Sequence, residues 1–381
     1  MMVMGKYTIQ SRYQKFRRII KKHWGEILIF SENSWRYAFS HVRNHPRPSE
    51  PTYVGAYLRY GLEYLNNVLP NSKPGNKLDK EGFQLKFGGI FVHQSPIVEL
   101  DPNHPRVRGL SKKRCEIGDL LVIFTFVDQN NLPLINRAFL SQAKIGNNPV
   151  EDAQYVLYEE NVRFRFSRPD ECNIKNNSCS ITTQNCGHRT QGNQNPQTYS
   201  RRFPWRRPRS RGLKYLRIYP ECETTRLEFL DSDKSYYCPP WICYFPWCCC
   251  HNYPFGCSIY GMMIGYDGWA FSTNLSLSSS RQCGWNHIIH DLLSDTAHRV
   301  STLGGLKKKN KLQRGMYLSY LVSQFNRFDN TDEYFIGLNP FDNPSGPEFP
   351  KDPEHPEGSV GINTLLIMVK DTEMENEAEE Y

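Results

Sequence analysis

Two apolar segments separated by a short polar turn constrain the fold of this chain more than any other feature. Residues 117–127 and 138–145 are rich in Val, Ile, Leu and Phe, and between them residues 128–132 read DQNNL. Aliphatic β-branched and aromatic residues favour strands, whereas Asn- and Asp-rich segments favour turns. The pattern therefore predicts two buried strands that pair as an antiparallel hairpin.

Helices and further strands are predicted on both sides of this hairpin. Residues 57–69 carry leucines at spacings of three and four, which indicates a helix that ends before Pro70. The other predicted helices are residues 7–24, 285–300 and 316–325, and the other predicted strands are residues 83–92, 96–100 and 360–369. Helices and strands in this arrangement predict an α/β fold.

The chain of 381 residues is long enough for one large core with additions. The predicted organisation is a basic N-terminal helical region (1–54), a first core region (55–170), a polar basic insertion or loop (171–212), a remainder of the core with a Cys- and aromatic-rich segment and helices (213–370), and an acidic tail (371–381). The insertion is poor in aliphatic residues and rich in Asn, Gln, Ser, Arg and Pro, which is typical of a long loop.

No apolar run approaches the roughly 18–20 residues that a membrane span requires. The N-terminal region also has no segment typical of an export signal. We therefore expect a cytoplasmic protein that has no membrane partner and whose 12 cysteines are thiols or metal ligands. The formal net charge of +8 suits a polyanionic partner.

The predicted hairpin carries three side chains that together suit phosphodiester chemistry. Asp119 opens the first strand, and Gln142 and Lys144 close the second strand in the sequence QAK. Alternate side chains of a strand share a face, so Gln142 and Lys144 point the same way. Oxygen ligands from Asp119 and Gln142 could hold Mg²⁺ or Mn²⁺, and Lys144 could orient or deprotonate the attacking water.

The sequence CEIGDLLVIFTFVD at residues 115–128, followed by RAFLSQAK, resembles the PD-(D/E)xK superfamily, which includes many restriction endonucleases. The resemblance implies a restriction-endonuclease-like αβββαβ core, to which the sequence patterns add N-terminal helices, a long polar insertion and a C-terminal helical, Cys-rich addition. It implies a metal bound by Asp119, Gln142 and Ala143, with Lys144 as the catalytic lysine. Gln142 departs from the family pattern, because Asp or Glu usually stands at this position.

A neutral amide is a weaker Mg²⁺ ligand than a carboxylate, so another acid is expected to support the site. Glu63, on the predicted helix before the hairpin, and Glu99 are the favoured candidates. Glu116 is an odd number of residues from Asp119 and would face away from it in a regular strand.

The resemblance implies a Mg²⁺-dependent endonuclease that hydrolyses DNA, in restriction or antiphage defence, with a homodimer and defence-system proteins as further partners. Two alternatives stay open. The first is a catalytically weak or inactive nucleic-acid-binding protein on the same fold. The second is an interaction protein that is organised by zinc.

Two basic clusters are candidate nucleic-acid contacts, because arginine and lysine neutralise phosphates and aromatic rings stack on bases. The candidate residues are Arg201, Arg202, Trp205, Arg206, Arg207, Lys307, Lys308 and Lys309. A solvated basic surface or a basic linker is the competing interpretation.

The segment CPPWICYFPWCCCHNYPFGC at residues 238–257 is the candidate zinc site. Its proposed ligands are Cys238, Cys243, Cys248 and Cys257, because thiolates bind structural Zn²⁺ tetrahedrally. The segment lacks a clean pair of CxxC spacings, so buried thiols beside aromatic rings are an equally natural interpretation. A second group, Cys172, Cys179, Cys186 and His188, could also hold a metal, although its spacing matches no known finger.

Overall fold

The computed structural model describes residues 2–46, 48–92, 96–146, 148, 150–167, 201–203, 212–219, 226–230, 252–273, 283–303, 316–325, 334–337 and 361–373. The helices are α1 Met2–Lys22, α2 Trp24–Val42, α3 Glu50–Ala56, α4 Leu62–Val68, α5 Lys73–Lys80, α6 Pro105–Arg108, α7 Asp152–Glu159, α8 Phe255–Ile264, α9 Cys283–Leu303 and α10 Tyr317–Gln324. A π-helical segment, Tyr57–Gly61, joins α3 to α4.

The strands are β1 Phe83–Phe91, β2 Ile97–Leu100, β3 Arg114–Glu116, β4 Leu120–Val127, β5 Pro133–Ile145, β6 Arg163–Phe166, β7 Arg201–Arg202, β8 Leu213–Tyr219, β9 Arg226–Leu230, β10 Asn252–Pro254, β11 Trp269–Ala270, β12 Phe335–Gly337 and β13 Thr364–Asp371. The described strands form a nine-stranded sheet of order β10-β9-β8-β5-β4-β13-β1-β12, in which β11 also pairs with β5, and a four-stranded sheet of order β3-β2-β6-β7. The α/β class is confirmed.

The predicted hairpin is present as β4 and β5, which pair antiparallel with Leu121 opposite Leu140. Asp128 closes the turn, because its carboxylate accepts hydrogen bonds from the N–H groups of Asn130 and Leu132 at 2.9 and 2.8 Å. Asn131 takes a positive φ of 65°, a conformation that Asn tolerates better than most residues. The local sequence therefore specifies this turn.

Two layers cover the large sheet. On one face, helices α1 to α5 and α8 pack against side chains such as Phe124 and Phe139. On the other face, α7, α9, α10 and the four-stranded sheet pack against Leu121, Ile123 and Leu140. Strand β4 is buried along its whole length, as its continuous apolar sequence requires.

The order of strands along the chain differs from their order in space. Following helices α4 and α5, the large sheet takes β1, β4 and β5 in turn, and then β8, which runs parallel to β5 after α7. Strand β13 lies between β1 and β4, antiparallel to the first and parallel to the second. Its sequence TLLIMVKD is almost entirely buried, and a strand that is apolar on both faces needs a central position.

Helix α1 and strand β13 are tied together by a salt bridge at the edge of the core. The Arg12 guanidinium donates two hydrogen bonds to the Asp371 carboxylate, each 2.7 Å long, and Nη1 contacts Glu373 at 2.6 Å. Asp371 is fully buried. The first residues of the predicted acidic tail therefore belong to the fold, while residues 374–381 lie outside the described residues.

Replacing Arg12 by alanine is expected to lower the free energy of unfolding by about 2–3 kcal/mol, because the buried Asp371 carboxylate loses its bidentate partner. Urea denaturation would measure the change. The matched control is Arg36→Ala, which removes an exposed arginine of α2. Equal stabilities of the two variants would show that the Arg12 salt bridge contributes nothing.

Among the residues that the structure describes, no helix combines the length and the apolar character needed to cross a membrane.

Candidate functional site

Asp119 lies immediately before β4, where three hydrogen bonds fix its position. Its N–H donates to the Ser141 carbonyl at 2.8 Å, and its carbonyl accepts from Asn363 Nδ2 at 3.0 Å. Its carboxylate Oδ2 accepts from the Ala143 N–H at 2.6 Å. The side chain is therefore held against the end of β5, next to the QAK sequence.

The backbone of Ala143 completes this contact. The N–H and C=O groups of one strand residue point to the same side of the strand. Because the Ala143 N–H points to the Asp119 carboxylate, the Ala143 carbonyl points to that side as well. The Asp119 carboxylate and the Ala143 carbonyl therefore lie on the same side of β5.

Gln142 and Lys144 lie on the face of the large sheet that carries Leu140, two and four residues along β5. Gln142 is fully buried, and its Nε2 donates to the Glu116 carbonyl at 2.9 Å. Its Oε1 is also buried and has no hydrogen-bond partner within the described residues. Lys144 is partly exposed, and its positive charge acts on both Asp119 and Glu116.

Glu116, which the strand-parity argument excluded, is the acid that the structure places beside Asp119. The carboxyl group of each of these residues affects the pKa of the other. Parity fails because the chain leaves β3 at Glu116 and enters β4 at Leu120, so Ile117 and Gly118 connect two different sheets. Glu116 and Asp119 are therefore not members of one regular strand.

This connection is tightly packed. Tyr158 of α7 donates its hydroxyl to the Ile117 carbonyl at 3.0 Å. A Cβ on Gly118 would lie 2.7 Å from Leu140 Cγ and 3.0 Å from the Tyr158 hydroxyl, so only glycine fits there. The Gly-Asp pair in the sequence thus lets the chain change sheets directly at the acidic site.

The site has more negative than positive charge. Glu50, at the start of α3, accepts a hydrogen bond from the Ile145 N–H at 3.3 Å, and its charge acts on Glu116 and Asp119. Glu151, just before α7, also acts on Glu116. Among the described residues, Lys144 is the cation whose charge acts on Glu116 and Asp119, so the acids outnumber it.

Burial and this repulsion change the protonation of the acids. Burial, followed by the charge of Glu116, raises the pKa of Asp119 to about 8, although the Ala143 N–H and Lys144 oppose the shift. Burial also raises the pKa of Glu116 above its ordinary value. Asp119 nevertheless keeps an intermediate solvent exposure, so the carboxyl group is deeply surrounded but can still be reached from solvent.

The structure does not bring the two favoured supporting acids to Asp119. The charge of Glu63 acts on Tyr334, and Glu99 forms a salt bridge with Arg165 at 2.7 Å. Neither is among the charges that act on Asp119. The acids whose charges act on Asp119 are instead Glu116 and Glu50. They take the supporting role that the sequence suggested for Glu99 and Glu63.

The predicted nucleic-acid contacts are only partly described. Arg201 forms a salt bridge with Asp291 of α9 at 2.8 Å, so its guanidinium is directed into the protein. Arg202 is exposed. Trp205, Arg206, Arg207, Lys307, Lys308 and Lys309 lie outside the described residues.

Of the candidate zinc ligands, Cys257 is a half-buried cysteine on α8. Cys238, Cys243 and Cys248 lie outside the described residues, as do Cys172, Cys179, Cys186 and His188. The zinc predictions therefore stay predictions.

The donor set beside Asp119 suits a hard divalent cation. Mg²⁺ and Mn²⁺ prefer oxygen ligands. The oxygen ligands available here are two carboxylates, the unsatisfied Gln142 Oε1 and the Ala143 carbonyl. Across the described part of the chain, no three His, Cys, Asp or Glu side chains come together in an arrangement that would hold a metal. A cation at Asp119 would thus depend on the amide and backbone oxygens as well as on the acids.

Comparisons with protein-family models, curated proteins and solved structures give no match for this chain.

Proposed function

We propose that the protein is a Mg²⁺- or Mn²⁺-dependent phosphodiesterase that cleaves DNA, with Asp119, Glu116, Gln142 and Lys144 at its active site. The observation that carries the proposal is the contact between the Asp119 carboxylate and the Ala143 N–H. This contact brings the acid at the start of one strand to the QAK sequence at the end of its neighbour.

The arrangement of elements supports a restriction-endonuclease-like core. Helices α4 and α5, strands β1, β4 and β5, helix α7 and strand β8 follow the αβββαβ order along the chain. The acid stands at the second of these strands and the lysine at the third. Strand β13, between β1 and β4, would then be an addition to that core.

Each residue has a distinct role in the proposed reaction. Asp119, Glu116 and the Gln142 and Ala143 oxygens would hold the cation. The cation, when bound, supplies a Lewis acid that polarises the phosphate and acidifies water. Lys144 orients the attacking water and offsets negative charge that develops on the phosphate. The Ala143 N–H keeps Asp119 directed towards the site.

Supercoiled plasmid DNA incubated with Mg²⁺ or Mn²⁺ tests the proposal. Lys144→Met is expected to lower the cleavage rate by about 10²-fold or more, because it removes a charge that acts in the transition state. The matched control is Lys80→Gln, which removes an exposed lysine of α5. Cleavage at equal rates by wild type, Lys144→Met and Lys80→Gln would overturn the assignment of Lys144.

The inactive alternative is favoured by one observation. The Gln142 amide already donates to the Glu116 carbonyl, which is what a purely structural glutamine would do. This alternative predicts nucleic-acid binding without cleavage in either metal. A role in restriction or antiphage defence rests on the sequence resemblance alone.

A further inference from the structure

The four-stranded sheet has one buried face and one face directed outward. Val98, Cys115 and Phe164 pack into the core. Strand alternation places their neighbours on the other face. We call this the arginine face, and its basic residues are Arg114 of β3, Arg163 and Arg165 of β6, and Arg202 of β7.

The register of the strands puts like charges together on the arginine face. Arg163 lies directly opposite Arg202 across the β6–β7 pair, and both are exposed. Like charges directly opposite each other destabilise a sheet. Among the described residues neither of the two forms a salt bridge, and Arg202 Nε makes a long 3.4 Å hydrogen bond to the Asn161 carbonyl. An anion that bridges the two guanidinium groups would remove this repulsion.

The acids on this face are engaged locally. Glu99 lies between Arg114 and Arg165 and contacts Arg165 at 2.7 Å. Asp101 follows β2, and its Oδ1 accepts the Asn103 N–H at 3.0 Å. Four arginines therefore outnumber the three acids on this face, which are Glu99, Asp101 and Glu116.

The arginine face is continuous with the proposed active site. Glu116 is the last residue of β3 and lies opposite Ile97, on the same face as Arg114. Its backbone carbonyl accepts a hydrogen bond from Gln142 Nε2 at 2.9 Å, and its charge acts on Asp119. A strand of phosphates that crosses this face towards β3 would therefore lead to Glu116 and the neighbouring Asp119.

We propose that the arginine face binds the phosphate backbone of a nucleic acid and positions one phosphodiester at Asp119. This inference rests on the proposed function, because it names the surface that binds the substrate of that site. Arginine suits the role, since its planar guanidinium donates in a bidentate manner to phosphate oxygens. Arg201 takes no part, because it faces the core and pairs with Asp291.

Fluorescence anisotropy in EDTA tests binding separately from cleavage. The probes are a labelled DNA duplex, one of its strands, and an RNA of the same sequence. The double variant Arg163→Ala/Arg202→Ala is expected to bind about tenfold or more weakly than wild type. The slope of log affinity against log salt should also be shallower by roughly 1.4–1.8, for two lost phosphate contacts. The probe that binds most tightly identifies the class of nucleic acid.

The matched control is Arg36→Ala/Arg43→Ala, which removes two exposed arginines near α2, on the other side of the large sheet. Its affinity and salt slope should equal those of wild type. Equal weakening by both double variants, or no weakening by Arg163→Ala/Arg202→Ala, would overturn the inference even if the protein cleaves DNA. Binding that depends on these two arginines without any cleavage would support the inference and count against the proposed hydrolysis. Absence of binding by wild type at low salt would also overturn the inference.

Discussion

The Asp119→Asn variant is expected to lose DNA cleavage by about 10³-fold or more and to be more stable than wild type in EDTA. The loss of activity follows from the loss of the main anionic ligand for the cation. The gain in stability follows because Asn keeps an oxygen that can accept the Ala143 N–H but has no charge to bury beside Glu116. At pH 7 the free energy of unfolding of Asp119→Asn should exceed that of wild type by about 2–4 kcal/mol, because each pKa unit corresponds to about 1.4 kcal/mol.

The pH dependence of this gain has a definite sign. The pKa of Asp119 is about 8 in the native protein and lies near the ordinary value of 3.8 in the unfolded chain. Between these values the native state binds more protons than the unfolded state, so the free energy of unfolding of wild type falls as pH rises. Asp119→Asn should flatten the profile from about pH 4 to pH 8.

Thermal denaturation in EDTA across this pH range measures both effects. Asp79→Asn, at an exposed position of α5, is the matched control and should follow wild type. A lower melting temperature for Asp119→Asn than for wild type at pH 8 would show that Asp119 is a stabilising structural acid instead.

The Gln142→Glu variant is expected to lose stability in EDTA and to gain affinity for Mg²⁺. The new carboxylate would be buried beside Glu116 and Asp119 and would face the Glu116 carbonyl, to which the amide now donates. An uncompensated buried charge of this kind costs about 3–5 kcal/mol. A bound cation would offset the cost, because carboxylates are better Mg²⁺ ligands than amides.

Melting temperatures measured with increasing Mg²⁺ test this prediction. The rise in melting temperature with Mg²⁺ should be larger for Gln142→Glu than for wild type. Gln84→Glu, at an exposed position of β1, should show no such difference. If Mg²⁺ stabilises Gln142→Glu no more than wild type, position 142 does not face a cation site.

Local sequence patterns predicted the centre of the fold well. The β4–β5 hairpin, its Asp128 turn and the shared face of Gln142 and Lys144 depend on interactions within about thirty residues, where apolar alternation and turn chemistry are informative. Side-chain alternation along β5 predicted that Gln142 and Lys144 share a face, and the hairpin brings the Ala143 N–H between them to Asp119.

The same reasoning failed where the chain changes sheets. Parity arguments hold only inside one regular strand, and Gly118 lies in the connection between β3 and β4. The Gly-Asp pair could have signalled such a break, since glycine inside an apparent strand often marks a bulge or a close approach. Glu116 was excluded for this reason.

Contacts between distant segments were beyond reach from one sequence. Glu50 reaches the end of β5 from a helix far earlier in the chain, and nothing local at Glu50 indicates this contact. The placement of β13 between β1 and β4 is also a long-range pairing. The arginine face was missed because short strands such as β6 and β7 carry little periodic signal.

The central position of β13 has a consequence for the order in which the protein becomes active. Asn363, just before β13, donates to the Asp119 carbonyl and accepts from the Val92 N–H, so it connects β4 to β1. Asn363 cannot make these two hydrogen bonds until residue 363 and β13 have been synthesised. A nascent chain would therefore lack one of the three hydrogen bonds that fix Asp119 during most of its translation, and the proposed site would be complete only once β13 is in place.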